Sequence, residues 1–164
     1  MPWQKQLSGI YSECIYFKET ADEIKDCIWH RVTSCFLKIT DKLLFVIQRF
    51  ELALKRTSDV ADCDDLLRTP EGVDLFDATC MRIQTIGEAL KQIDTETKEK
   101  LLVYYPGIPW RKIFAMRNII SHEYLSVDPE IITDIVKHNL SPLLVVLYRI
   151  QDDLNAGKHD AIFG

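Results

Sequence analysis

The chain has 164 residues, enough for one domain around a single sizeable core and too few to expect two. It is 47% hydrophobic and 27% charged, with 6 Gly and 6 Pro, the composition of an ordinary globular protein rich in helix formers. A formal charge of −5 argues against a non-specific coat for nucleic acid, yet leaves room for a small basic site on an acidic body.

No apolar run approaches the roughly 18 residues that span a bilayer, so no membrane association is expected. The start, "MPWQKQLSGIYSEC", lacks the basic-then-apolar order of a signal peptide. Five cysteines (14, 27, 35, 63 and 80) are scattered and without a CxxC pair, which points to reduced thiols and a cytoplasmic protein.

Residues 1–38 form an N-terminal extension whose role the pattern leaves open. The stretch "IYSECIYFKETADEIKDCIWHRV" is aromatic-rich, but its apolar positions do not settle on one stripe. An extra helix, an extended arm and a separate appendage all fit it. From residue 39 to 156 the pattern is helical throughout, and residues 157–164 read as a tail.

In chain order, "DKLLFVIQRFELALKR" predicts a helix over 41–56 with Leu43, Val46, Ile47, Phe50 and Leu54 on one stripe. The acidic run Asp59, Asp62, Asp64 and Asp65 lacks the glycine and closing glutamate of a calcium loop and reads as a solvated loop. Thr69, Pro70 and Glu71 give a cap, a first-position proline and a first-turn acid. The helix they open should run to about Ile93, with Phe76, Cys80, Ile83, Gly87 and Leu90 on one face. Gly87 costs roughly 1 kcal/mol against Ala inside a helix, so close packing against a neighbouring helix is its expected purpose. A short helix capped by Thr95, with Glu96 and Lys100 paired, is predicted in "TETKEKLLVYY".

After the break at "YPGIPW", Pro109 restarts a helix with Ile113, Met116 and Ile120 as its core stripe, ending near His122 or Tyr124. Asp128, Pro129 and Glu130 cap and open the last helix, with Ile131, Ile132, Ile135 and Val136 among its apolar positions. Pro142 should kink or restart it, because proline removes a backbone donor and clashes with the preceding turn. His138 and His159 read as surface residues, and Trp110 as packing against the bundle. With no strand pattern in competition, the fold class is all-α, an antiparallel bundle of four to five helices.

The segment "MRNIISHEY" (116–124) interrupts its apolar stripe with Arg117, His122 and Tyr124. On a regular helix Arg117 and Tyr124 fall within about 20° of one stripe, whereas His122 lies about 140° from Arg117. Convergence of the three therefore needs the helix to end at His122, or a second copy to bring its own set across an interface. On spacing alone, an Arg and a His near a helix C-terminus are also what the macrodipole favours.

"IQTIGEALKQI" and "YPGIPWRKIFAMRNIISHEYLSVDPEII" resemble the HepT-like branch of the HEPN superfamily. That branch consists of small all-helical toxins of toxin–antitoxin pairs. Its hallmark of Arg, four residues, His, one residue, Tyr stands here as Arg117, His122 and Tyr124, with the polar residue after the arginine as Asn118. The resemblance covers residues 40 to 154 and leaves the first 38 without a counterpart. It implies a metal-independent endoribonuclease with no cofactor, in which Arg117 and His122 are catalytic and Asn118 and Tyr124 orient groups or bind RNA. It further implies a minimal nucleotidyltransferase antitoxin as partner, which attaches adenylate to Tyr124.

The residues suit that chemistry. His122, with an unperturbed pKa near ~6.5, can take the proton of a ribose 2′-OH or supply one to the leaving oxygen. The guanidinium of Arg117 matches the charge that builds on the phosphoryl oxygens. Arg111 and Lys112 are the clear basic pair nearby and can guide RNA towards the site. One Arg and one His per chain make a sparse site, so a homodimer through the motif helix is expected. Two alternatives stay open: a catalytically silent HEPN module that binds nucleotide or a partner protein, and a purely structural bundle. Cys27, His30 and Cys35 lack a fourth ligand for zinc and read as plain helix residues, so no metal site is expected.

Overall fold

The computed structural model of the chain describes residues 21–163, with side chains from residue 34 onward. Among the described residues every regular element is helical. The chain divides between Ser34 and Cys35, and the unit from Cys35 onward holds every element that bears on the site. The aromatic-rich stretch before residue 21, and the side chains of Cys27 and His30, lie outside the described residues.

Helix α1 (Ala21–Arg56) starts well before the expected Asp41. No glycine or proline interrupts residues 21–41, and Phe36 and Ile39 carry the apolar spacing of Leu43 back by two turns. After it comes the short α2 (Asp64–Leu67), where the acidic run serves as a set of turn caps. The Asp62 carboxylate accepts from the Asp64 backbone N–H at 2.9 Å, and that of Asp65 from Ala61 N–H at 2.7 Å. The Ala61 and Asp62 N–H donors hold the Asp65 carboxyl below its usual range.

Helix α3 (Pro70–Glu96) opens as the sequence predicts, Thr69 accepting from Gly72 N–H at 3.0 Å. It does not stop at Ile93, and the separate helix capped by Thr95 is absent. Thr95 is interior to α3, and the chain instead turns at Lys98 and Glu99, both with positive φ (53° and 60°). Glu99 N–H closes this turn on Asp94 C=O at 2.7 Å. With neither Gly nor Asn at those positions, the sequence shows no mark of the left-handed turn. A 3₁₀ turn (Leu102–Tyr104) then leads to α4 (Trp110–His122).

A second 3₁₀ turn (Tyr124–Ser126) joins α4 to α5 (Pro129–Asp134), whose cap Asp128 accepts from Glu130 N–H at 2.8 Å. Between α5 and α6 (Leu140–Asn155) lies one π-helical turn, Ile135–Asn139. Pro142 accounts for it: its missing N–H and its ring forbid an ordinary bond to the turn before, and the wider turn absorbs the misfit. The result is one helical run, Pro129–Asn155, long and apolar enough by length and composition to cross a membrane, contrary to the expectation that no stretch approaches that size. Its Leu140, Leu143, Leu147, Ile150 and Leu154 are buried in the bundle core. The short α7 (Asp160–Phe163) follows.

The core is continuous across α1, α3, α5 and α6: Ile39, Leu43, Val46 and Phe50 meet Cys80, Ile86, Leu90 and Ile93, and then Ile132 and Leu147. His159 is corrected from surface to buried. Its Nε2 lies 2.9 Å from the Tyr105 hydroxyl, which donates to Asp153 at 2.9 Å, and the Tyr104 ring covers it at 4.8 Å. His138 is exposed, as expected, 3.9 Å from Asp134.

Candidate functional site

Helix α4 is lightly anchored in the core. Ile120 is its one buried residue, with Ile113, Phe114 and Met116 half-buried beside it. Its placement rests instead on α3, which runs antiparallel to it and presents a polar stripe. Glu88 pairs with the Arg117 guanidinium, Gln84 Nε2 donates to Ser121 Oγ at 3.0 Å, and the Tyr124 hydroxyl donates to Asp77. Positions 117, 121 and 124 share one stripe of α4 and its continuation, and 77, 84 and 88 share one stripe of α3. Three rungs thus fix the register of the motif against its neighbour.

Gly87 lies inside this ladder. A Cβ on it would stand 2.7 Å from Arg117 Cβ and 3.5 Å from Ile113 C=O, so the absent side chain is what lets α4 approach. The expected purpose of Gly87 is met, and the residue it admits is the motif arginine itself.

Arg117 is half-buried, its other guanidinium nitrogen donating to Asn118 Oδ1 at 2.6 Å. Asn118 therefore touches the arginine. Among the described residues no hydrogen bond or ion pair joins His122 to either of them, and His122 is exposed at the last position of α4. The helix ends where predicted, and the offset between Arg117 and His122 persists because it is regular up to that point.

The Tyr124 phenol is pushed up from its ordinary range, first by burial and then by its bond to the Asp77 carboxylate. It is a donor, un-ionised at neutral pH. Beside it Cys80 is buried in the core, its thiol pushed up to about 12 by burial and by Asp77.

Arg111 is exposed on the first turn of α4. Lys112 lines a separate cleft of about 530 Å³ with His138, Asn139 and the aliphatic side chains of α3 and α4. Trp110 is partly buried, with Nε1 donating to Tyr105 C=O at 3.0 Å, and so it packs as expected. Asp77, Gln84 and Glu88 escaped the reading of the sequence. The available signal was a polar stripe at seven- and four-residue spacing on an otherwise apolar helix.

Residues 46–150 match the family described as "Ribonuclease HepT-like". The chain belongs to that family. Over 115 residues it is 30% identical to a Methanocaldococcus jannaschii protein named "Gamma-glutamylcyclotransferase and putative RNase", a match covering 70% of this chain and 48% of that one. It is 28% identical over 98 residues to a "Putative RNase" of Caldanaerobacter subterraneus subsp. tengcongensis, covering 60% and 80%. A "Probable ribonuclease HepT" of Thermococcus cleftensis is 33% identical over 66 residues, covering 40% and 56%. The chain spans about half the length of the first of these relatives. No solved structure matches it significantly.

Proposed function

We propose that the chain is a metal-independent endoribonuclease, the toxin of a toxin–antitoxin pair, with Arg117 and His122 as its catalytic residues. The observation that carries this reading is the α3–α4 ladder: Glu88, Gln84 and Asp77 hold the motif arginine, Ser121 and the motif tyrosine in register while His122 is left free to solvent. An exposed histidine at the end of the helix that carries a guanidinium set in place by a glycine suits a site better than a core.

In the proposed reaction His122 takes the proton from a ribose 2′-OH. The 2′ oxygen bonds to the adjacent phosphorus, and the bond to the 5′ oxygen breaks. A proton returned by the conjugate acid leaves a 5′-hydroxyl and a 2′,3′-cyclic phosphate. Arg117 offsets the extra charge on the phosphoryl oxygens. Because Arg117 and His122 point apart within one chain, a second copy placed across the end of α4 supplies the opposing set. Exposed Ile119 and Leu125 at that end support such a contact. Asn118 orients Arg117, and Arg111 and Lys112 attract the strand from the N-terminal end of α4.

Silencing by a nucleotidyltransferase partner falls on Tyr124. Its hydroxyl already donates to Asp77, a base in place to receive the proton as the phenol oxygen attacks the α-phosphorus of a nucleoside triphosphate and pyrophosphate leaves. The added phosphate would lie on the same stripe as Arg117. A cytoplasmic location goes with this role. One observation favours a silent binding module instead: Glu88 already neutralises Arg117, so a phosphate must compete for it. Expression of the intact chain and of His122→Ala in bacteria separates the two. Arrest of growth with RNA decay that needs His122 supports the nuclease; equal growth supports the silent module.

A further inference from the structure

Three arginines outside the motif helix, Arg49, Arg56 and Arg82, lie on α1 and α3. Helices α1 and α3 are antiparallel, pinned at one end by the Lys42–Glu96 ion pair. Fourteen residues along α1 from Lys42 is Arg56, and fourteen back along α3 from Glu96 is Arg82. Equal rise on both helices brings these two arginines level. Arg49 lies two turns before Arg56 and within about 20° of its stripe, its guanidinium 5.0 Å from the Phe45 ring.

This end of the α1–α3 contact is electrostatically incomplete. Among the described residues none of the three arginines has an ion-pair partner, on a body whose net charge is −5. Among the described residues two buried side-chain atoms lack a hydrogen-bond partner, Thr79 Oγ1 and Arg82 Nη1, and they belong to residues one turn apart on α3. Burial, and then the neighbouring Arg56 and Arg49, push the Arg82 guanidinium towards losing its proton. A half-buried cation beside two like charges is costly to keep without a counter-charge. Residue types that fork around oxyanions are what the cluster offers.

We propose that Arg49, Arg56 and Arg82 form a phosphate-binding site that holds the RNA strand beyond the scissile bond. The proposal rests on RNA being the substrate. Beside Gln84 and Glu88 an open groove of about 460 Å³ runs between α1 and α3, lined also by Asp41, Lys42, Phe45 and Thr85. Gln84 and Glu88 are the same residues that hold Ser121 and Arg117 on their other side. A strand leaving Arg117 over this ridge enters the groove and meets Arg82 about 9 Å further along α3. Phosphates bound at both ends fix the direction in which the chain is threaded.

The test uses the full-length protein and a single-stranded 2′-O-methyl RNA of about twelve nucleotides, which binds without being cut because its nucleophile is blocked. Affinity is followed by fluorescence anisotropy across a salt series for wild type, Arg56→Ala, the double variant Arg49→Ala/Arg56→Ala, and Arg82→Lys. Each lost phosphate contact should lower the log–log salt slope by about 0.7, so the double variant should lose roughly 1.4. Arg82→Lys keeps the charge and the fold but loses the fork, so it should weaken binding with little change in slope. Cleavage of a dinucleotide, too short to reach the cluster, should stay at the wild-type rate in all three. An unchanged slope and affinity in the double variant would overturn the proposal. So would variants that weaken self-association in light scattering but leave RNA binding intact, which would mean the arginines face carboxylates of another copy. A wild type that cuts RNA with an arginine-independent slope sinks the site and spares the nuclease. Arginine-dependent binding without cleavage of ordinary RNA does the reverse.

Discussion

Gly87 on α3 and Arg117 on α4 are in contact across the helix pair, with no room for a methyl group between them. An alanine usually stabilises a helix by up to about 1 kcal/mol over glycine. At Gly87 it must instead push α4 outwards, and overpacking of this kind costs about 1–3 kcal/mol. Gly87→Ala should therefore unfold at lower denaturant and lose RNA cleavage together. Cleavage that survives with unchanged stability would show that the contact is slack.

In the proposed reaction Glu88 acts through Arg117 as a positioning residue. Both side chains are about a third exposed, so the ion pair itself contributes little stability, roughly 0–1 kcal/mol. Glu88→Gln should leave the midpoint of unfolding almost unchanged. It should lower kcat by about tenfold with KM held or reduced, since the freed guanidinium binds phosphate without being aimed at it. Equal kcat would remove Glu88 from the mechanism.

The bundle and most helix ends were legible because they are local: Thr69, Asp128 and Pro109 announce starts, and the stripe of α3 announces its buried face. The reversal at Lys98 and Glu99 was not, because neither residue type advertises a left-handed backbone. His159 was hidden for a different reason. Its burial depends on Tyr104, Tyr105 and Asp153, brought to it from two other parts of the chain, and no spacing near His159 reveals them. Within the candidate site the positions on α4 stand together in the sequence as one motif. Their partners on α3 required knowing which faces of two helices meet.

The Tyr124–Asp77 bond has a pH signature. The phenol's folded pKa is raised above its unfolded value near ~10. Its contribution is therefore fully present below that value and is lost as pH rises through the folded pKa. Tyr124→Phe should be less stable than wild type at pH 8, and the gap should narrow in strong alkali. A gap independent of pH would mean that the hydroxyl bond is not the source.

At the opposite end, Asp153 is held below the usual carboxylate range by Lys158 and by the Tyr105 hydroxyl. The sign is reversed here: stability is present above the unfolded value near ~4 and lost as pH falls through the folded one. Asp153→Asn should lower the melting temperature at pH 7 and flatten the acid side of the stability profile. An acid limb as steep as that of wild type would place the acid sensitivity elsewhere.

The proposed chemistry falls to Arg117 and His122 themselves. The direct measurement is cleavage of a defined RNA in excess chelator by wild type, Arg117→Ala and His122→Ala, with product ends identified by mass and folding checked by circular dichroism. Wild type should cut without metal, leaving 2′,3′-cyclic phosphate and 5′-hydroxyl ends. Both variants should keep their helical signal and lose at least about a hundredfold in rate, as expected when a general base or a charge-stabilising donor is removed. Cleavage that stops in chelator, or that persists in a folded His122→Ala, would contradict it.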